Sequence, residues 1–134
     1  MSLKPKLFLL SCLFTAPLAA QEPAQVSEGE HIFKMVCAMC HSVKPPATAA
    51  PPMSHATAYY LRKHGTPAAA TQALIAYLKK PTAEQSLLPP MAIERFGLMP
   101  AQTHLSDAQL AAVAGYVLTL ADTTHAHGGR GTNR

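Results

Sequence analysis

The sequence predicts an all-α domain, and three observations carry that expectation. Four stretches combine capping residues with apolar side chains at helical spacing. No stretch shows the apolar–polar alternation of a half-buried strand. Two connections are also longer than a small helical domain needs, so something besides apolar side chains must order them.

The first helix is expected to open at Ser27-Glu28-Gly29-Glu30, a capping-box pattern, and to run through Ile32, Phe33 and Val36 into Cys37. A second, shorter helix is expected after Ser54, closing at His64-Gly65, where the glycine suits a left-handed cap. Thr66-Pro67 opens the third, a cap followed by proline in the first turn. It carries Leu74, Ile75 and Leu78 on one side and must stop before Pro81. Ser106-Asp107-Ala108-Gln109 opens the fourth, whose Leu110, Val113, Ala114 and Val117 follow the helical period with Tyr116 beside them.

Between these elements, residues 42–53 are rich in Pro and Ala, and residues 82–105 hold Pro89, Pro90, Met91, Met99 and Pro100. Aromatic content is 6% and tryptophan is absent, which is thin filling for a core of this size. A large buried cofactor would order the connections and supply the missing apolar bulk.

The ends of the chain read differently from its middle. A length of 134 residues suits one domain with flanking segments. Residues 1–20 read as a secretory leader: Lys4 and Lys6, then the apolar run Leu7 to Ala16, then Pro17-Leu18-Ala19-Ala20. The run falls short of the about 20 apolar residues that span a bilayer, and no later stretch reaches that length. A lipid-bearing Cys12 would have to begin the mature chain, yet the apolar run continues through Leu13 and Phe14. The domain is expected over residues 25–122 and a disordered, anchor-free tail over 123–134.

The formal net charge of +4 does not describe a basic binding face. Between residues 21 and 122, seven basic residues (Lys34, Lys44, Arg62, Lys63, Lys79, Lys80, Arg95) meet seven acidic ones (Glu22, Glu28, Glu30, Glu84, Glu94, Asp107, Asp122). The surplus sits at Lys4, Lys6, Arg130 and Arg134, which speaks against a nucleic-acid partner.

Cys37-Ala38-Met39-Cys40-His41 carries the chemistry. Near the end of a helix, cysteines three apart lie on roughly one face, within reach of the two vinyl groups of one porphyrin, and the next imidazole falls under the iron. The motif therefore predicts one covalently attached haem c. A redox dithiol expects a preceding strand in a βαβ setting, and a zinc site expects a second ligand pair; the sequence offers neither. No nucleophile–base pair, glycine-rich phosphate loop or informative carboxylate pair competes, so the chain is not read as an enzyme.

Over residues 27–121 the chain resembles the class I c-type cytochromes, the monohaem carriers of the bacterial periplasm. Gly29 and Phe33 match the family's first helix, and Val113 and Tyr116 match the last helix that crosses it. The resemblance implies the cytochrome c fold, with three to four short helices around one haem. Ala50-Pro51-Pro52-Met53 resembles the family segment whose proline carbonyl braces the haem histidine, which places that role on Pro51; Ala50 stands where the family has glycine. Gly97-Leu98-Met99-Pro100, followed by Leu105-Ser106-Asp107, is similar to the family's sixth-ligand segment and implies Met99 as that ligand. Met91 is the competing methionine, Met53 a haem-packing residue and Met39 a spacer. His31, His55 and His64 read as surface or haem-rim residues, and His104 is the alternative distal histidine. His125 and His127 in the tail lack a scaffold for a metal. Tyr59, Tyr60 and Arg62 are expected either to reach a haem propionate or to serve as a packed ring and a solvated charge.

The function implied is outer-sphere electron transfer in the periplasm, with a dehydrogenase, an oxidase or another cytochrome as redox partner. Two alternatives stay open from sequence. One is a haem protein with an open or displaceable sixth site, a sensor or small peroxidase. The other is a dedicated subunit of a larger dehydrogenase or oxidase complex.

Overall fold

A computed structural model describes residues 22–122, so the expected leader and tail, with Cys12, His125 and His127, lie outside the described residues. Five α-helices follow one another: α1 (Glu22–Ile32), α2 (Met53–His64), α3 (Pro67–Lys79), α4 (Pro90–Phe96) and α5 (Asp107–Thr119). No strand occurs among the described residues, as an all-α chain requires.

The start of the chain corrects one expectation. α1 begins at Glu22 rather than at a Ser27 cap, and Ser27 lies exposed within it. Pro23 explains the earlier start: its fixed backbone angle and missing N–H are tolerated in a first turn. The last turn is not α-helical either. Residues Phe33–Cys37 form a π turn, closed by Ala38 N–H donating to Phe33 O at 2.9 Å.

α1 lies across α5, the helix on which α2 and α3 also pack. The approach depends on Gly29. A side chain there would strike the carbonyl oxygen of Ala112 and come within 2.7 Å of Tyr116 Cβ. Beside it, the rings of Phe33 and Tyr116 interlock with centroids 5.8 Å apart and planes tilted by 50°, a geometry worth about 1 kcal/mol beyond its buried area. Leu110, Val113, Ala114 and Val117 bury the face of α5 expected from its spacing.

The caps follow local chemistry. Thr66 Oγ1 accepts from Ala69 N–H at 3.2 Å at the start of α3. Ser106 Oγ accepts from Gln109 N–H at 3.3 Å while Gln109 Oε1 accepts from Ser106 N–H at 3.0 Å, completing a capping box on α5. Gly65 closes α2 at φ 73°, in the left-handed region. That helix starts at Met53 rather than after Ser54, so Ser54 is a buried residue inside it. A further correction concerns the long second connection. It contains α4, a seven-residue helix opened by Pro90 that is too short to show a period in sequence.

Candidate haem site

The Cys37–His41 segment leaves the π turn as a tight turn. The N–H groups of Cys40 and His41 both donate to Cys37 O, at 3.1 and 2.9 Å. This keeps Cys37, Cys40 and His41 on the border of one cavity of about 290 Å³, at the lower end of ligand-site volumes (about 300–1,000 Å³). Leu74, Leu78, Val113 and Val117 line it from α3 and α5, and buried Met53 lines it from α2.

The connection after His41 folds back on the motif. Ala50 N–H donates to Cys40 O at 3.0 Å, Thr48 Oγ1 donates to the same carbonyl at 2.6 Å, and Met53 N–H donates to Ser42 O at 2.8 Å. These bonds bring Pro51 O to 2.8 Å from His41 Nδ1. A carbonyl only accepts, so Nδ1 carries the proton and Nε2 keeps its lone pair for a metal.

Met99 is half-buried and borders the same cavity. Gln102 N–H donates to Leu78 O at 2.8 Å, tying the segment after Met99 to the end of α3. Met91 is 75% exposed on α4 and is not part of the lining. His31, His55 and His104 are exposed and do not border the cavity.

The residues near Tyr60 divide. Tyr59 and Arg62 border a separate surface hollow with His55, and the Arg62 guanidinium sits 4.4 Å from the centre of the Tyr59 ring. Tyr60 borders the main cavity at 6% exposure, between Tyr77 and His64, each ring centred 6.3 Å away. Its hydroxyl is buried with no hydrogen-bond partner, and burial pushes its pKa up, so it stays a neutral donor. A buried donor left unpaired costs about 1–3 kcal/mol, and this one belongs to a residue on the cavity wall. Phe96, at the end of α4, and Leu98, just beyond it, also line the cavity, and sequence reasoning missed them because neither a seven-residue helix nor the loop after it shows a period.

The thiols do not suit a redox dithiol. Burial pushes Cys37 up to about 11, whereas a reactive dithiol lowers its attacking thiol. A zinc site finds no support either, since no group of three or more His, Cys, Asp or Glu converges among the described residues. Two thiols, an imidazole with one nitrogen already bonded, a thioether and apolar walls instead fit a large planar iron macrocycle.

A family model described as Cytochrome c matches residues 26–121. The chain belongs to the cytochrome c family. Cytochromes c bind haem c covalently, and the all-helical architecture agrees with that fold. No curated protein and no solved structure gives a significant match to this cytochrome. No helix among the described residues is long and apolar enough to cross a membrane.

Proposed function

We propose that this cytochrome carries one haem c on Cys37 and Cys40, with His41 Nε2 and the Met99 sulfur as iron ligands, and passes single electrons between redox proteins. The observation that supports this most is that Cys37, Cys40, His41 and Met99 border one cavity while Met91 points to solvent. When bound, the haem supplies a one-electron ferric–ferrous couple.

The protein's own groups prepare that couple. The His41–Pro51 bond fixes the ring and raises its basicity as a ligand. A thioether ligand favours the ferrous state relative to a second histidine. Leu74, Leu78, Val113 and Val117 exclude water, which lowers the reorganisation that accompanies a change of charge. Tyr60 offers its O–H to an acceptor group on the haem edge.

Residues 1–20 would direct export, placing the protein in the periplasm. There a dehydrogenase, an oxidase or another cytochrome would meet it through a small, transient contact. The balanced charge of the domain leaves such encounters weakly steered.

The ferric absorption spectrum of the purified holoprotein tests the ligand set. A sulfur-to-iron charge-transfer band is expected in the wild type, absent in Met99→Ala and retained in Met91→Ala. High-spin ferric iron in the wild type would overturn Met99 ligation and favour an open-site haem protein.

A further inference from the structure

A second hollow, of about 520 Å³, opens on the surface beside the haem cavity. Pro51, Leu88, Ala92 and Phe96 border both spaces, so the wall between them is one residue thick there. The volume falls inside the about 300–1,000 Å³ of small-molecule sites. The lining has their character too: apolar and aromatic side chains joined by a few polar groups, His55, Arg62 and Asp122.

Charge decides what fits it. Two guanidiniums sit over rings of the lining, Arg62 4.4 Å from the centre of the Tyr59 ring and Arg95 4.9 Å from that of Phe96. A guanidinium held over a ring has lost part of its freedom before a ligand arrives, and it keeps a fork of N–H donors for a planar anion. Among the described residues the ion pairs are Lys34–Glu30 and Lys79–Asp107, so no described carboxylate holds either arginine. The sequence has no Asp or Glu between residues 31 and 83, so α2 brings no competing acid of its own. Asp122, the acid of the lining, faces two arginines.

We propose that this hollow binds a small aromatic carboxylate, its ring against Tyr59 and Phe96 and its carboxylate on Arg62, and that occupancy is felt at the haem. Pro51 is the link: it borders the hollow, and its carbonyl accepts from His41 Nδ1 at 2.8 Å. Binding does not depend on which residue is the sixth iron ligand. The response at the haem rests on His41 as an iron ligand.

The test titrates ferrous holoprotein with 2-naphthoate, with acetate and 2-naphthamide as controls. NMR follows the ring resonances of Tyr59 and Phe96 and the Nδ1–H of His41. Naphthoate is expected to saturate at one per chain, shifting both rings and, less strongly, His41. Acetate and the amide should each bind at least about tenfold more weakly. Arg62→Gln should weaken naphthoate binding about tenfold, and Arg62→Lys about fivefold, because an ammonium keeps the charge without the fork. Lys63→Gln, outside the lining, should change it less than about twofold, as a screened surface charge does. Absence of saturable binding, equal affinity for the amide or for acetate, or full affinity in Arg62→Gln overturns the site. Shifts at both rings with His41 unmoved overturn the link to the haem. The absorption spectrum of the same samples reports the iron ligands separately, so a failed ligand assignment is told apart from a failed site.

Discussion

The two segments that bring donors to the cavity are held by opposite means. The histidine segment is clamped at short range, with Thr48 and Ala50 both bonded to Cys40 O and Met53 bonded back to Ser42 O. The methionine segment arrives after a short helix and joins the end of α3 through the bond from Gln102 N–H to Leu78 O. One donor set is therefore built by its own neighbourhood, and the other is delivered by packing. The first should survive perturbations that displace the second.

The largest test of that contrast removes the donors themselves. His41→Ala is expected to abolish stable haem incorporation, read as loss of the Soret band in purified protein. Met99→Ala should keep the haem attached and change only its spin state. Equal loss in both variants would erase the distinction between the segments.

Gly29→Ala strikes the foundation of the histidine segment, since its new methyl group meets the Ala112 carbonyl where α1 crosses α5. A loss of about 3 kcal/mol is expected in denaturant unfolding. A neutral result would mean that α1 can shift without disturbing Cys37.

Tyr60→Phe probes the floor between the segments. If the hydroxyl bonds an acceptor on the haem, its removal costs about 1–2 kcal/mol of holoprotein stability. A neutral or stabilising effect would show that the buried O–H meets no acceptor there. The smallest effect is expected from Thr48→Val, about 0.5 kcal/mol, because that bond is exposed and shares its acceptor with Ala50 N–H.

What could be read from the sequence follows the same division. The Cys37–His41 motif and the caps at Thr66 and Ser106 are local chemistry, so a few neighbouring residues reveal them. Ser27 misled because its capping-box spacing is complete, yet Pro23 sits upstream and lets the helix begin sooner. α4 escaped because seven residues cannot display a period. Spacing alone left Met91 and Met99 as rivals; their different burial follows from which part of residues 82–105 lines the cavity, Met99 on its wall and Met91 outside it. Tyr60 and its neighbour Tyr59 look alike in sequence, and only the meeting of α2 with α3 sends one inward and the other to the surface.

The π turn at Phe33–Cys37 works as a phase adaptor. In an uninterrupted α-helix, Cys37 would lie about 80° round the axis from Gly29, eight residues earlier. A turn that spends more residues per revolution removes much of that drift. One continuous segment can then point both its crossing glycine and its first thiol inward. Removing one residue from it would turn Cys37 by about 100° around the axis, away from the cavity.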